Sequence, residues 1–209
     1  MSSKYSIGVM NQLADELEKA GFTAEHITKL KQFSNLSGIL HVIDGKAKIT
    51  WNEMKDLKIW KTIKIGTGKT VDDFCKSIKN ISDWARGLMK SPEFTISTKE
   101  RELDLCMMTT KEILGREGTY SEICEGVLKI GGEFCPAEAG PQLRDQYMDQ
   151  PKGECLRIIM KPIKDSDGDL GIFSLRRDDG GPWLSTSYDI LDDVWDVDCL
   201  WVFIRPRGK

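Results

Sequence analysis

Apolar residues recur at helical spacing at the start of the chain, over residues 6–20, and Gly21 follows them as a helix stop signal. The same spacing predicts a second helix that begins after Thr23 as its N-cap, and a third helix over residues 35–43. We therefore expect residues 1–50 to form a small helical module.

Residues 51–93 carry a mixed pattern. Residues 59–65 alternate between apolar and polar side chains, which is typical of a short strand with one buried face. Residues 71–89 return to helical spacing and predict one helix, which Ser91-Pro92 ends because the residue before a proline disfavours the helical conformation. We interpret residues 51–93 as a connecting segment made of a strand and a helix.

From residue 94 to residue 209, short apolar runs alternate with turn signals, and this pattern favours a sheet. Two helices interrupt it: one begins at Thr119 with Glu122 in a capping box, and the other has Pro141 in its first turn. The predicted strands are residues 102–108, 156–163, 172–175, 183–188 and 200–204. The fold class that we expect is α+β, with two helices packed on a twisted antiparallel sheet over residues 94–209.

The residue composition changes in the last part of the chain. Residues 165–208 contain no Lys, Glu, Gln or Met, although these four types supply 47 of the first 164 residues. A β-rich segment explains part of this deficit, because strands disfavour Glu and Lys, but exposed strand edges usually attract Lys. Apart from Trp and Pro, the residue types that remain are those that a codon ending in a pyrimidine can specify. A second explanation is therefore a recognition surface, over residues 165–204, whose residues are limited to a restricted set of amino-acid types.

Charge is divided unevenly along the chain and limits the classes of ligand. The net charge is −3, with +4 on residues 1–93 and −7 on residues 94–209. Phosphate repulsion argues against nucleic acid as a ligand of the acidic C-terminal part. The basic residues 1–93 keep one alternative open, in which the chain is a nucleic-acid-associated adaptor that works through them.

Composition and hydropathy indicate a folded protein without a membrane segment. The 209 residues are 40% hydrophobic and 30% charged, which is typical of a folded chain. No apolar run approaches the ~18 residues of a spanning helix, and the first residues lack the apolar core of a signal peptide. We expect a cytoplasmic protein with no membrane partner.

Three motifs that could carry chemistry fail on spacing. Residues 66–70, Gly-Thr-Gly-Lys-Thr, lack the upstream glycine of a phosphate-binding loop because Ile63 stands in its place, and we expect a turn with an N-cap there. The calcium-loop pattern that starts at Asp165 has Leu170 where glycine is required and Arg176 where glutamate is required. The six cysteines form no Cys-x-x-Cys pair, so we expect reduced, mostly buried thiols and no zinc.

An enzyme of unknown chemistry is the second alternative. Glu138 and Asp145 fall on one helical face and could be assigned acid–base roles. We interpret Glu138 instead as an acid in the first turn of a helix, where the helix dipole favours it. We therefore expect no catalytic residue, no cofactor and no bound metal.

Short strings in the C-terminal half carry two resemblances. The order of strand, capped helix, Gly-Gly, second helix and run of strands over residues 102–209 resembles the C-type-lectin-like fold. The residues that carry it are Thr119-Tyr120, Cys124, Gly131-Gly132-Glu133-Phe134, Glu138, Gly180-Gly181-Pro182-Trp183 and Leu200-Trp201-Val202-Phe203-Ile204-Arg205. The string from Cys135 to Pro151 resembles that of a family of bacterial hypothetical proteins, which implies no particular function.

Within the lectin-like fold, the C-terminal segment is similar in layout and alphabet to the variable proteins of diversity-generating retroelements. In that group, adenine-directed mutagenesis rewrites a segment that follows a Gly-Gly-x-Trp-like start and ends in a fixed strand. The resemblance places the start at Gly180–Trp183 and the fixed strand at Val202–Arg205. The segment differs from the group in being poor in Asn and Arg and in retaining Trp195. The fold resemblance also implies that Cys124 and Cys199 are the relic of a disulfide pair.

Strand alternation and an acidic loop define the candidate contact surface. In the strand 183–188 the odd-numbered residues share one face and the even-numbered residues the other, but alternation does not tell which face is inward. We expect the loop 189–198 to lie outside with Tyr188 and Trp195 as aromatic anchors, although Trp195 could instead plug the core beneath the loop. The predicted contact residues are Arg176, Arg177, Asp178, Tyr188, Asp189, Asp192, Asp193, Trp195, Asp196 and Asp198. We expect them to bind another protein with a basic or polar surface, without catalysis.

Overall fold

The computed structural model of this protein describes residues 6–24, 44, 57–165, 167–188 and 193–207. Contacts within the chain divide it into one unit of Met1–Trp51 and a second unit of Asn52–Lys209.

Helix α1 (Ile7–Lys19) in the first unit confirms the first predicted helix. The Ser6 hydroxyl caps it by accepting a hydrogen bond from the Val9 N–H at 3.3 Å. Gly21 follows with a φ of +85°, a conformation that favours glycine and ends the helix. The other two helices predicted for this unit lie outside the described residues, beyond Ala24.

The second unit is a sheet with helices on both faces. Its described helices are α2 (Val71–Ser77), α3 (Asp83–Lys90), α4 (Thr110–Leu114), α5 (Tyr120–Lys129) and α6 (Ala139–Gln146). Its described strands are β1 (Lys61–Ile65), β2 (Asn80–Ile81), β3 (Arg101–Thr109), β4 (Gly118–Thr119), β5 (Cys155–Ile158), β6 (Ile163–Lys164), β7 (Leu170–Asp178), β8 (Gly181–Ser187), β9 (Val194–Trp195) and β10 (Leu200–Ile204). Across the described part of the chain, no helix is long and apolar enough to cross a membrane.

The main sheet has the strand order β1-β3-β10-β5-β7-β8-β2, with β6 paired to β7, while β4 and β9 form a separate ladder. Most neighbours are antiparallel, but β10 runs parallel to β5 and β2 runs parallel to β8. The predicted α+β class is confirmed, whereas a purely antiparallel sheet is wrong at these two pairs. A hydrophobic pattern marks each strand but specifies neither its neighbour nor its direction.

The single helix expected over residues 71–89 is wrong, because α2 and α3 are separated by β2. Asn80 pairs with Trp183 of β8, so the chain is extended there. Ser82 then restarts the helix by accepting a hydrogen bond from the Ala85 N–H at 3.1 Å. As a result, the segment interpreted as a connection contributes both β1 and β2 to the main sheet.

Strand β10 is an interior strand of the sheet and is covered on both faces. Trp201, Val202 and Phe203 are fully buried. On one face the Trp201 ring lies 5.7 Å from that of Tyr120 at the start of α5, and its indole N–H donates to the Thr110 hydroxyl at 2.9 Å. The predicted capping box at the start of α5, between Thr119 and Glu122, is confirmed.

On the other face of the sheet, α6 approaches the strands closely because its second residue is glycine. A Cβ at Gly140 would lie 2.6 Å from the Cβ of Phe173 on β7, closer than real side chains come. This contact brings the polar side chains of α6 against the loops that join the strands.

All six cysteines are free thiols, as the sequence predicted, and the two that the fold resemblance marks as a relic of a pair, Cys124 and Cys199, form no disulfide. Three are buried: Cys106, Cys124 and Cys135. Burial raises the pKa of Cys124 to about 11 and also raises the pKa of the Cys106 and Cys135 thiols.

Thiol reactivity should divide the cysteines into two groups. Because the thiolate is the nucleophile, iodoacetamide at about pH 8 should alkylate the half-buried Cys75, Cys155 and Cys199 in the native protein. The three buried thiols should react only after unfolding in urea. Peptide mass spectrometry reads out both sets, and native labelling of Cys135 as fast as that of Cys75 would contradict the packing described here.

Candidate binding surface

The register of β5, β7 and β8 places a row of mostly polar side chains on one face of the sheet, together with the buried Ile172. Cys155 pairs with Arg176, which pairs with Trp183; one step along, Arg157 pairs with Ser174. Residues paired across strands share a face of the sheet. We call this surface the polar sheet face, and its residues are Cys155, Arg157, Ser174, Arg176, Trp183, Ser185 and Ser187.

Burial shows that the polar sheet face is the outward one. Leu156, Leu175 and Leu184, which alternate with its residues, are completely buried. Arg176 is exposed, and the other residues of the face are half-buried apart from Ser174, which is buried. The odd-numbered residues of the strand 183–188 therefore point outward, which alternation alone left open.

Trp183 and its neighbours form the first recognisable cluster on this face. The guanidinium carbon of Arg176 lies 5.6 Å from the Trp183 ring centroid, within range of a cation–π interaction. The Trp183 indole N–H donates to the Asp178 carboxylate at 3.0 Å, and the Gly180 N–H donates to the same oxygen at 2.8 Å. The aromatic ring is therefore held in place while the charge of Arg176 stays open to solvent.

Trp195 forms the second cluster, at the border between the polar sheet face and the core. Its ring packs edge-on against Trp201 at 5.3 Å, and the Arg157 guanidinium carbon lies 4.4 Å from its centroid. Strand β9 fixes this position because Trp195 pairs with Gly118 of β4. The half-buried Trp195 thus covers Trp201 and also contacts the charged Arg157.

Two predicted contact residues lie away from the polar sheet face. Arg177 turns to the face of the sheet that α6 covers, where it donates to the carbonyl oxygens of Met148 and Gln150 at 3.4 and 2.8 Å. Tyr188 packs its ring edge-on against Trp84 of α3 at 5.3 Å. Burial, and then the nearby Asp165 carboxylate, raise the pKa of Tyr188 to about 12. The side chains of Arg177 and Tyr188 therefore contribute to packing within the fold.

The acidic residues of the loop flank Trp195, which borders the polar sheet face, and we call them the acidic rim. Asp193, Asp196 and Asp198 are exposed, and the Asp196 carboxylate accepts a hydrogen bond from the Asp198 N–H at 3.2 Å. Asp189 and Asp192 lie outside the described residues. Of the predicted contact residues, Arg176, Asp178 and Trp195 belong to or border the face.

The predicted contact set omitted Arg157, Trp183, Ser185 and Ser187. The sequence did carry a signal for the last three, because Trp183, Ser185 and Ser187 alternate along one strand and therefore lie on the same face of it. Arg157 carried no such signal, because only the pairing of β5 with β7 brings it to the face.

The candidate surface carries charged, aromatic and hydroxyl groups. It combines two guanidinium groups, two indoles and a row of serine hydroxyls with carboxylates along one side. In the residues that the structure describes, no three His, Cys, Asp or Glu side chains are grouped so as to hold a metal ion. No protein-family model, curated protein or solved structure matches the chain, so its function is argued from this geometry.

Proposed function

We propose that the chain is a non-enzymatic binding protein that contacts another protein through the polar sheet face and its acidic rim. The observation that carries this proposal is the division of β7 and β8 into two sets of side chains. Leu175 and Leu184 build the core, whereas Arg176, Trp183 and Ser185 point outward from the same two strands. The outward set can therefore change without disturbing the core.

The residue types of the surface favour a protein as the partner. Trp and Arg are enriched at protein–protein interfaces, and Trp offers a large contact area for little loss of side-chain freedom. Serine hydroxyls add hydrogen bonds that adapt to different partners. The exposed Asp193, Asp196 and Asp198 favour a partner with basic or polar residues facing the rim.

The finer form of the proposal is a C-type-lectin-like scaffold whose surface is diversified by a retroelement. The α+β architecture is consistent with that scaffold. The segment that lacks Lys, Glu, Gln and Met, residues 165–208, includes all of the polar sheet face on β7 and β8 together with the rim. Strand β10, near the C-terminal end of this segment, is a buried strand in the place where such segments have their fixed end.

Sequencing the gene and its surroundings tests diversification. We expect a near-copy of the DNA that encodes residues 172–200, a neighbouring reverse-transcriptase gene, and differences between the two copies at adenines of the template. Ordinary codon usage with no template copy nearby would contradict diversification by a retroelement. The proposal would then be reduced to an invariant binding surface, which the next experiment tests.

Site-specific photo-crosslinking tests the binding surface itself. A benzophenone amino acid placed at Ser185 should give a discrete adduct with one partner in the cells that produce this chain, whereas the same group at the exposed Ser121 of α5 should not. Similar adducts from both positions would contradict a specific surface.

Charge reversal then measures the contribution of the face to binding by the purified partner. Arg176→Glu should weaken the affinity at least about tenfold in calorimetry, because it removes the guanidinium that lies over the Trp183 ring and reverses the charge at the centre of the face. Arg101→Glu, at another exposed strand arginine, is the matched control and should leave the affinity unchanged. Equal loss in both variants would indicate nonspecific charge attraction.

A further inference from the structure

A groove of about 470 Å³ lies at the end of the main sheet where β3 begins and β10 ends. Its walls are the first residues of β3, the segment 133–136 and the residues that follow β10. We call it the basic groove, because its lining carries four basic and three acidic side chains although residues 94–209 have a net charge of −7. A volume of this size is in the range of small-molecule sites.

Backbone hydrogen bonds fix the walls of the basic groove. Glu133 and Ile204 exchange two hydrogen bonds, each of 2.9 Å, which hold the segment 133–136 beside β10. The Arg205 N–H donates to the carbonyl oxygen of Asp104 at 2.8 Å, which holds the end of β10 against β3. The groove is therefore formed before a ligand enters, and this keeps the entropic cost of binding low.

Arg207 occupies two of the three carboxylates of the lining. It donates from Nε and Nη2 to the two carboxylate oxygens of Asp104 at 2.7 and 2.8 Å, and from Nη2 to Glu102 at 3.1 Å. The hydrogen bonds from Arg207, and then the one from the Thr62 hydroxyl, lower the pKa of Asp104 to about 2. The third carboxylate, Glu133, is exposed and forms no ion pair with another described residue.

Arg205 and Lys161 are the cations of the groove that are available to a ligand. Arg205 is half-buried, and its side chain makes no hydrogen bond within the described part of the chain. None of its three nitrogens is both buried and unpaired, so each of them reaches the surface. Lys161 is exposed and has no ion pair with a described residue. The partial burial of Arg205 strengthens its attraction for an anion, because the effective dielectric constant is lower there than in water.

Phe134 gives the groove an apolar wall. It is 37% exposed and lines the groove together with Pro136 and Pro206. A flat group of a ligand that packs on this ring removes apolar surface from water on both sides of the contact. An anion that carries a ring would use both the cations and Phe134, whereas a simple anion would use only the cations.

We infer that the basic groove binds a small organic anion in which a carboxylate or phosphate group is attached to a flat ring. The anionic group contacts Arg205 and Lys161, and the ring packs on Phe134. A guanidinium group binds either kind of anionic group through paired hydrogen bonds. The groove shares no residue with the polar sheet face, so the site is independent of the proposed protein binding.

The backbone amide signals of Phe134 and Arg205 in a ¹⁵N–¹H correlation spectrum of the full chain report on binding in the groove. Benzoate and phenyl phosphate are the probes, and each is titrated at constant ionic strength so that general screening does not change. Acetate and inorganic phosphate keep the charge without the ring, and benzamide keeps the ring without the charge. We expect saturable shifts from benzoate, phenyl phosphate or both, and binding at least about fivefold weaker for the three partial probes. The tighter probe identifies the anionic group.

Two arginine variants test the role of the unpaired cation. Arg205→Gln should weaken binding of the tighter probe about tenfold, because it removes the positive charge and keeps a polar side chain. Arg86→Gln on α3 is the matched control, since Arg86 is also half-buried and without an ion pair in the described part of the chain but lies outside the groove. It should change binding little.

Glu133→Gln, at an exposed position, keeps the test valid if Arg205→Gln does not fold. It should tighten binding about twofold, because it removes the unpaired carboxylate from the groove. The inference is overturned if neither probe gives a saturable shift, if a partial probe binds as tightly as the whole one, if the two arginine variants weaken binding equally, or if Glu133→Gln fails to tighten it.

Discussion

Replacing Glu138 by alanine should lower the free energy of unfolding by about 4 kcal/mol, because it leaves three donors in the interior without an acceptor. The side chain is completely buried. One carboxylate oxygen accepts from the Gly66 N–H at 2.7 Å and the Gln142 side-chain N–H at 2.9 Å, and the other accepts from the Ser97 N–H at 2.8 Å.

The position of these donors explains why the expected effect is large. Gly66 lies in the loop after β1, Ser97 lies before β3, and Gln142 lies on α6, so one carboxylate ties three segments together. The sequence suggested an acid stabilised by the helix dipole. Glu138 does stand at the N-cap of α6, but its side chain makes no capping hydrogen bond and instead joins these segments.

Urea unfolding followed by circular dichroism measures the change. Glu138→Gln should give an intermediate loss, because the amide keeps the shape of the side chain but turns an N–H towards a donor. Glu125→Ala, on the exposed surface of α5, is the control and should leave the midpoint unchanged. A midpoint for Glu138→Ala equal to that control would show that the three hydrogen bonds do not form.

Replacing Gly66 by alanine should be destabilising by about 3–5 kcal/mol, because a side chain would collide with fixed backbone. An added Cβ would lie 2.1 Å from the carbonyl oxygen of Lys99, and Gly66 also has a φ of +65°. Moving Lys99 would disturb the entry to β3, next to Ser97, which Glu138 binds.

Gly68 provides a matched control two residues further along the same loop. It has a φ of +77° but open space around the position of a Cβ. Gly68→Ala should therefore cost only the backbone strain, about 1–2 kcal/mol. Thermal unfolding of both variants separates the two effects, and equal losses would show that the contact with Lys99 relaxes freely.

The sequence predicted most of the local structure because the signals for helix ends are local. The turn and N-cap expected at residues 66–70 are confirmed, with Thr70 and Asp73 forming a capping box at the start of α2. The capping box at Thr119 is confirmed for the same reason. The break between α2 and α3 was missed because the pairing of Asn80 with Trp183 depends on a strand about one hundred residues away.

The candidate surface was only partly predictable. Arg176 and Arg177 are adjacent on one strand, so alternation already required that they point to opposite faces. Which of the two faces outward depends on the burial of Leu175 by the rest of the fold. The burial of Arg144 could not be predicted, since the sequence gives no sign that an arginine on a polar helix is buried.

The interior place of β10 in the sheet has a consequence for synthesis on the ribosome. In the described part of the chain, the β1–β3 pair and the β5–β7–β8 ladder have no direct pairing and are joined only through β10. Until residues 200–204 leave the exit tunnel, the nascent chain contains two separate half-sheets with unpaired strand edges at β3 and β5. We therefore expect this domain to depend on chaperone protection during translation and to close in one late step.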